Sequence, residues 1–408
     1  MQGFTTARRA LFAALVCCTT VHTAHAAPFI LAEDGQAKCV IIHHPDATPP
    51  EQHAARELQR YLERITGATF ERRAAEAPGE GRAILIGSGP WTEDVVSADE
   101  RAALGTEGYI LRTAGDGKRL HVIGGRPRGT LYGVYDLLRD EFACRWFTPR
   151  IERVPSRPTL TVDALDRTYV PPFEYRHIRY HMADDPDWAA KMHIHGYDRD
   201  RPELGGSFNY AQAWRVHTLR HFAPGGNHDP EDPSMADGDR AGLMSDALVE
   251  HAADTIRAVF DEQPEAEIVS LSQEDSVRRF DDEAARALIE REGSSSAVVL
   301  QFVNRVAERV AETHPEKVLS TLAYWWTIEP PETMRARENV AIRFAIMGAA
   351  LNKPLTDPVN ADYQSNLKGW SRLAERMYLW MYAQTGNKGG LTFSAPLPTV
   401  FVYDEDFR

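Results

Sequence analysis

Two adjacent carboxylates, Glu274 and Asp275, follow a strand-like segment that begins at Ile268. Because side chains alternate along a strand, Val269 is expected to face a layer of helices and Glu274 the opposite side of the sheet. A pair of carboxyl groups, one protonated and one ionised, can carry out general acid–base chemistry at the end of such a strand. In a simpler interpretation, one or both carboxylates only cap the following helix or are solvated.

Aromatic side chains end two other strand-like segments. Tyr324, Trp325 and Trp326 end one of them, and Trp380 and Tyr382 end the other. Sugar rings expose apolar C–H faces, so aromatic platforms of this kind suit a carbohydrate ligand. Since alternation sends neighbouring residues to opposite faces, some of these rings must belong to the core; Tyr324, Trp325 and Trp380 are the candidates for substrate binding.

Histidines and arginines supply further candidate ligands. His217 could contact a substrate hydroxyl or be a buried, hydrogen-bonded residue, and Arg176 and Arg179 could bind an acidic sugar or pair with surface acids. Three histidine pairs have a spacing that places both imidazoles on one side of a strand: His177 and His181, His193 and His195, and His217 and His221. Zinc could use such a pair, but no HExxH or cysteine pattern accompanies them, so we expect no metal site and no cofactor.

Seven strand-like segments in residues 172–408 would position these side chains. They are residues 173–179, 192–196, 207–210 or the region of Val216, 267–272, 318–324, 340–346 and 377–382, with amphipathic helices at 247–260 and 298–313. Repeated strand–helix units predict an α/β fold with a parallel sheet or a (β/α)8-type TIM barrel. Because only residues 399–403 could supply one more strand, we expect a barrel that is open and C-terminally truncated.

Residues 28–165 have the pattern of a separate, small α/β domain. Strands are predicted at 40–42 and 83–87, a hairpin at 108–112 and 119–123, and helices at 51–66 and 130–139. Residues 154–172 contain four prolines and no long periodic segment, which indicates a domain boundary.

Residues 1–26 have the pattern of a cleaved secretory signal. Arg8 and Arg9 precede an apolar stretch, and Ala24-His25-Ala26 follows at the distance expected for signal peptidase. A twin-arginine signal and a lipoprotein signal at Cys17 are the alternatives. The protein is therefore expected to be secreted or periplasmic. Export would allow the two remaining cysteines, Cys39 and Cys144, to form a disulfide, and two inert buried thiols are the alternative.

The composition excludes several classes of protein. With 408 residues, 43% of them hydrophobic and 26% charged, the chain is neither disordered nor fibrous. Its 46 basic and 59 acidic residues give a net charge of −13, which argues against nucleic-acid binding. No apolar run after residue 30 reaches the length of a membrane span, so we expect no membrane association after signal cleavage. The oligomeric state is left open.

Two motifs in the first half resemble a known accessory domain. They are Arg128-Gly-Thr-Leu-Tyr-Gly-Val-Tyr-Asp-Leu-Leu and Cys144-Arg-Trp-Phe-Thr-Pro149. Together with the helix pattern of residues 51–66, they are similar to the N-terminal domain that precedes the catalytic barrel in bacterial α-glucuronidases and β-hexosaminidases. The resemblance covers nearly all of residues 28–165.

Residues 172–408 resemble a secreted bacterial family of unknown function that commonly follows this domain and is regarded as a glycosidase-like barrel. The matching segments are Trp214-Arg-Val-His-Thr218, Ser270-Leu-Ser-Gln-Glu-Asp275, Glu290-Arg-Glu-Gly-Ser294, Gln301-Phe-Val-Asn-Arg-Val-Ala-Glu308, Thr321-Leu-Ala-Tyr324 and Tyr378-Leu-Trp380. The family motif emphasises the position of Asp275, and β-hexosaminidases hold an adjacent carboxylate pair at the equivalent strand. Here Met381 stands where an Asp is common, and residues 277–287 lack the usual cysteines.

The resemblance implies a secreted glycoside hydrolase. The expected reaction is hydrolysis of O-glycosyl bonds in a polysaccharide-derived glycan, with Glu274 and Asp275 as catalytic carboxylates. Arg176, His217, Tyr324, Trp325 and Trp380 are the expected substrate-binding residues. The alternatives are a non-catalytic carbohydrate-binding protein and a hydrolase that binds a metal through its histidine pairs.

Overall fold

The computed structural model describes residues 27–195, 201–206, 208–222, 242–275, 282–382 and 401–403. The chain divides into two compact units, Met1–Val170 and Pro171–Arg408. Among the described residues, no helix is both long enough and apolar enough to cross a bilayer. The predicted signal peptide, residues 1–26, lies outside the described residues, as do residues 399 and 400 of the last predicted strand.

The first unit is built around a mixed six-stranded sheet. In chain order its elements are β1 (Phe29–Glu33), β2 (Gln36–Ala37), β3 (Val40–His43), α1 (Pro49–Thr66), β4 (Arg72–Ala74), β5 (Ala83–Ile86), α2 (Ala98–Ala103), β6 (Tyr109–Thr113), β7 (Arg119–Gly124), α3 (Gly129–Asp140), β8 (Arg145–Thr148), β9 (Ile151–Arg153), β10 (Leu160–Val162) and β11 (Asp166–Tyr169). The large sheet has the order β11-β6-β7-β5-β3-β4. Strands β3, β4, β5 and β7 are parallel, whereas β6 and β11 run antiparallel.

Local sequence signals account for the main elements of this unit. At the start of α1, the Thr48 side chain accepts a hydrogen bond from the Glu51 backbone N–H while the Glu51 carboxylate binds the Thr48 N–H, and Gly67 ends the helix with φ 73°. The predicted strands at 40–42 and 83–87, the hairpin and the two helices are confirmed. Strands β10 and β11 lie within the proline-containing segment, where no long periodic element was expected.

Helix α3 lies unusually close to the sheet. Gly133 faces Tyr109 and Val122, where an added Cβ would come within 3.1 to 3.2 Å of their side chains. At the helix start, a Cβ on Gly129 would lie 2.1 Å from the Gly108 carbonyl oxygen. The glycines in the Arg128–Leu138 motif therefore allow helix and sheet backbones to approach.

The second unit contains a parallel sheet covered by helices. Its elements are α4 (Pro186–Lys191), α5 (Asp246–Glu262), β12 (Ile268–Ser270), α6 (Glu283–Glu292), α7 (Ser296–Ala311), β13 (Val318–Ala323), β14 (Val340–Ala345), α8 (Ala361–Leu373) and β15 (Arg376–Trp380). The strands lie in the order β12-β13-β14-β15, all parallel. The predicted strands at 267–272, 318–324, 340–346 and 377–382 and both predicted helices are confirmed, and so is the α/β class.

The two faces of this sheet contact different layers. Val269 and Leu271 pack in the large apolar core together with residues of α5 and α7, as the alternation predicted. On the other face, a small cluster joins one residue from each strand to the segments before β12: Tyr175, Phe208, Tyr210, Ile268, Val318, Ala341 and Tyr378. Tyr175 contacts both Tyr210 and Tyr378, with ring centroids 5.4 and 5.7 Å apart. One aromatic side chain thus links segments at both edges of the sheet.

Three of the seven predicted strands differ from the structure. Residues 173–179 form no strand: the Arg176 guanidinium binds the Phe173 carbonyl within the segment and the His193 carbonyl outside it, and the Arg176 carbonyl accepts from the His195 N–H. Residues 192 and 193 form a turn after α4, and 194 and 195 have no regular structure. Of the third segment, only Tyr210 pairs, in a parallel bridge with Ile268. The described sheet therefore has four strands and one bridge, and its closure into a barrel stays a prediction.

Cys39 and Cys144, the two cysteines among the described residues, are free and buried. The alternative of a Cys39–Cys144 disulfide is therefore wrong, and the alternative of two buried thiols is confirmed.

Candidate functional site

Asp275 lies where β12, β13 and β15 end at one edge of the sheet. Its side chain is 63% exposed, and one of its carboxylate oxygens lies 3.5 Å from Nε2 of His217. Tyr324 follows β13 and Tyr382 follows β15, and the negative charge of Asp275 acts on both phenols. The Tyr324 hydroxyl itself donates to Sδ of Met347 at 3.3 Å. The carboxyl edge of a parallel sheet thus gathers a carboxylate, an imidazole and two phenols.

The backbone fixes the orientation of His217. Its N–H donates to the Ser272 hydroxyl at 2.9 Å, and its Nδ1 lies 2.7 Å from the Gln273 carbonyl oxygen. Since a carbonyl only accepts, Nδ1 must carry a hydrogen, which leaves Nε2 facing Asp275. His217 also has φ 55°, in the left-handed region, so these contacts hold a backbone conformation that is uncommon for a side-chain-bearing residue.

The two phenols act as neutral donors at this edge. Burial raises the pKa of Tyr324, and the negative charge of Asp275 raises it further. Burial raises the pKa of Tyr382 to about 12, again with a contribution from Asp275. Because both hydroxyls keep their protons at neutral pH, they can donate hydrogen bonds to Asp275 or to a ligand oxygen.

Glu274 is bound on a different side from Asp275. Its carboxylate accepts a hydrogen bond from the Arg220 backbone N–H at 3.1 Å and lies 3.8 Å from the Arg220 guanidinium. The predicted alternation would turn Glu274 to the same face as Ser270, but β12 ends at Ser270, so strand geometry does not fix the direction of the Glu274 side chain. The Glu274 contact is with the short 3-10 helix Leu219–Phe222, which precedes it in the chain, and not with the following helix that the simpler interpretation named.

Gln273 connects the loops that follow β12 and β13, and the prediction of site residues missed it. Its Nε2 donates to the Thr327 hydroxyl at 2.6 Å and to the Tyr324 carbonyl at 3.1 Å. Trp325 lies in the loop thus held, 47% exposed and with φ 54°. The only sequence signal for it was its position directly before the carboxylate pair, in the Ser-Gln-Glu-Asp segment; in the structure Gln273 is fully buried.

Arg176 does not face an open site. Its Nε donates to the His193 carbonyl at 2.8 Å, its Nη1 to the Phe173 carbonyl at 2.5 Å, and its Nη2 lies 3.1 Å from Nε2 of His195. These contacts hold the segments of Phe173 and His193 together, and the expected roles of Arg176, binding an acidic sugar or pairing with surface acids, stay predictions.

A small cavity opens on the inner face of the sheet beside Trp380. It has a volume of about 40 Å³, and its lining includes Arg179, Arg215 and Arg343. Arg343 is the one basic residue in the otherwise apolar strand β14, and that isolated charge was a sequence signal that the site prediction did not use. Of the aromatic candidates, Trp380 lines this cavity, while Tyr324 and Trp325 lie at the Asp275 edge.

Two of the three histidine pairs do not converge in the described part of the chain. His217 faces Asp275, whereas His221 stacks on Trp214 with ring centroids 4.4 Å apart. His177 stacks on Tyr175, whereas His181 is fully exposed beside Asp184. Within the described ranges, no three His, Cys, Asp or Glu side chains are grouped closely enough to hold a metal ion.

Most of the chain matches a family known from sequence. Residues 146–399 match the family described as "Domain of unknown function (DUF4838)". The chain belongs to this family. Residues 32–137 of this DUF4838 protein match the family described as "Glycosyl hydrolase family 67 N-terminus". The resemblance inferred from the motifs in both halves is thereby confirmed, and the match of residues 32–137 links the chain to glycoside hydrolases.

Three solved structures of glycoside hydrolases are distantly similar to this DUF4838 protein. One is a family GH115 4-O-methyl-α-glucuronidase with specificity for decorated arabinogalactans: 13% identity, TM-score 0.47, covering 86% of this chain and 54% of that enzyme. The second is a Streptomyces plicatus β-hexosaminidase, with 13% identity and a TM-score of 0.41, covering 88% of this chain and 72% of that enzyme. The third is a Bacteroides fragilis β-N-acetylhexosaminidase, with 12% identity and a TM-score of 0.42, covering 85% of this chain and 71% of that enzyme. The chain spans about half the length of the first enzyme. No curated protein matches it significantly.

Proposed function

We propose that this protein is a secreted glycoside hydrolase that acts on O-glycosyl bonds of a polysaccharide-derived glycan. In this proposal residues 1–26 direct export, and the second unit is a (β/α)-barrel-type domain with its active site at the carboxyl edge of β12 to β15. The cluster around Tyr175 on the inner face of the sheet supports this architecture, because the inner face of a barrel carries such a layer of side chains.

The observation that carries the proposal is the surroundings of Asp275. Its carboxylate is accessible, lies beside an imidazole nitrogen, and is flanked by two neutral tyrosine hydroxyls. Trp325 is exposed nearby and offers an apolar surface for a sugar ring. A carboxylate with aromatic neighbours at a strand end is what glycoside hydrolysis requires on one side of the scissile bond.

We infer that His217 and Asp275 act as a pair. Nδ1 of His217 lies 2.7 Å from the Gln273 carbonyl oxygen and must donate to it, which leaves Nε2 at 3.5 Å from the carboxylate of Asp275. In this proposal the pair passes a proton to the glycosidic oxygen as the C–O bond breaks, and water adds its hydroxyl group to the anomeric carbon and returns its other proton to the pair. Glu274 then acts as a positioning residue, because its carboxylate binds the Arg220 N–H and not the open edge.

A comparison of variants tests these assignments. The full chain would be assayed for hydrolysis of a panel of 4-nitrophenyl glycosides and of natural polysaccharides, with reducing ends as the readout. Asp275→Asn should lower kcat by about 10²- to 10⁴-fold, the usual contribution of a general acid or base. Glu274→Gln keeps an oxygen that accepts from the Arg220 N–H, so kcat should change by less than about tenfold.

A matched control is available on α5. Asp254 is as accessible as Asp275, with 74% of its side chain exposed, and it pairs with Arg257 of the same helix. Asp254→Asn should retain full activity. Glycan binding without turnover by the parent chain would contradict hydrolysis and favour the carbohydrate-binding alternative. A larger loss in Glu274→Gln than in Asp275→Asn would reverse the two roles.

A further inference from the structure

A buried arginine lies near the centre of the parallel sheet. Arg343 is only 7% exposed. Its Nη2 donates to the Arg215 carbonyl at 2.7 Å and lies 3.5 Å from the Ser320 hydroxyl, while its buried Nε has no hydrogen-bond partner. Within the described ranges Arg343 forms no ion pair. A buried guanidinium without a counter-ion is costly, so its presence calls for an anion that is not part of the described protein.

The surroundings of Arg343 leave one direction open. Its guanidinium carbon lies 4.5 Å from the ring centroid of Tyr210 and 5.3 Å from that of Trp380. These rings cover part of the guanidinium surface, and the cavity of about 40 Å³ lies against the part that they leave uncovered. A single water molecule needs about 10–15 Å³ on this measure, so the cavity has room for the two oxygens of a carboxylate.

The charge around the cavity is positive. Arg179 and Arg215 line it together with Arg343, and no acidic side chain is among its lining residues in the described part of the chain. His177, also in the lining, is not a further cation at neutral pH, because burial and then the three arginines lower its pKa to about 4. Three guanidiniums and no carboxylate form the arrangement that recognises an anionic ligand group.

The cavity adjoins the Asp275 edge. Val216, in the cavity lining, immediately precedes His217, whose Nε2 faces Asp275. Trp380, also in the lining, has its ring centroid 6.4 Å from that of Tyr382, the second tyrosine affected by Asp275. A sugar bound over this edge can therefore direct one substituent into the cavity.

We propose that this cavity is a carboxylate subsite and that the glycan recognised at Asp275 contains a uronic acid residue. The carboxylate of that residue is bound by Arg343, with Arg215 and Arg179 adding positive charge, while Trp380 packs beside the ring. The position of the sugar in this inference rests on the proposed function, whereas the binding of the carboxylate does not depend on it.

Binding measurements on the full chain test the subsite without any need for turnover. Isothermal titration calorimetry would compare D-glucuronate and D-galacturonate with their methyl esters and with D-glucose, and inorganic sulfate would report general anion binding. We expect at least one uronate to bind about 10- to 100-fold more tightly than its ester, the range given by hydrogen bonds to a charged group. Arg343→Met and Arg215→Met should each abolish this preference, whereas Arg286→Met, which replaces an exposed arginine on α6, should keep it.

Thermal unfolding of the same variants checks that they are folded. Arg343→Met should raise Tm or leave it unchanged, because it removes a buried charge without a counter-ion; should this variant not fold, Arg215→Met carries the test. Equal affinity for uronate and ester, unchanged preference in both folded variants, or sulfate binding as tight as uronate binding would each overturn the proposal. If uronates bind but no glycan is hydrolysed, the proposed function is contradicted and the subsite is not. If hydrolysis depends on Asp275 but only neutral glycans are cleaved, the subsite is contradicted and the proposed function is not.

Discussion

Substitution of Gly129 by alanine tests the close packing of α3 against the sheet of the first unit. Gly129 is the first residue of α3, and a Cβ there would lie 2.1 Å from the Gly108 carbonyl oxygen. Helix propensity by itself predicts the opposite outcome, since alanine is favoured over glycine in a helix by up to about 1 kcal/mol. The sign of the measured change therefore separates local propensity from tertiary contact.

The geometry sets the expected magnitude. Contacts of a Cβ under 3.0 Å are essentially never seen, so helix and strand backbones would have to separate by about 1 Å. The contacted atom belongs to the backbone and cannot move away by rotating a side chain. Overpacking of this kind costs about 1–3 kcal/mol or more. With the propensity gain subtracted, we expect a net destabilisation of about 2 kcal/mol, which lowers Tm by roughly 4–8 °C in a unit of this size.

Differential scanning calorimetry of the full chain would measure the effect, with Gly115→Ala as the matched control. Gly115 lies in the turn between β6 and β7, and a Cβ there has nothing within 4 Å. The control should therefore leave Tm within about 1 °C of the parent. An unchanged or raised Tm in Gly129→Ala would refute the reasoning, because it would mean that α3 can move away from Gly108 at little cost.

Two further predictions concern titratable groups. Burial alone would raise the pKa of Glu292, but hydrogen bonds from the Thr333 and Met334 backbone N–H groups lower it below its usual range. Because the pKa of Glu292 is lower in the folded protein than in the unfolded chain, its carboxylate adds to the free energy of unfolding. This contribution is fully present above the unfolded pKa of about 4.3 and is lost as the pH falls through the pKa of the folded protein. In urea unfolding, Glu292→Gln should thus be less stable than the parent at about pH 6 and approach it at about pH 3; an equal difference at both pH values would contradict this. Burial raises the pKa of Cys39 to about 12 and that of Cys144 to about 11, so both thiols should react with an aromatic disulfide reagent only after unfolding. Rapid reaction of either thiol in the folded protein, or a Tm that falls on addition of a reductant, would be inconsistent with two buried free cysteines.

Local sequence patterns were sufficient to predict those helices and strands whose signals lie within a few residues of one another. The helix α1 carries its own start and end signals in Thr48, Glu51 and Gly67, and its apolar spacing identifies the buried face. The four strands of the second unit are short apolar runs, and the alternation of Val269 and Ser270 correctly separated the helix-covered face from the inner face. Asp275 could be singled out because carboxylates directly follow one of these runs.

Tertiary contacts decided what these patterns could not. Glu274 and Asp275 are neighbours in sequence, yet one binds the Arg220 backbone and the other faces His217, because the strand that would have fixed their directions ends at Ser270. The segment 173–179 has the composition of a strand, but its backbone contacts are with the Arg176 side chain and the His195 N–H and not with a neighbouring strand.

The inner face of the sheet shows the same division most clearly. The sequence by itself determined that β14 is a buried strand and that a single charge, Arg343, interrupts it. It could not determine that Arg215, which precedes Arg343 by more than a hundred residues, turns its carbonyl towards that guanidinium, or that Tyr210 and Trp380 cover it. Periodicity reports which side of an element a residue is on, whereas the partners of that side chain depend on which distant segments the fold brings to the same place.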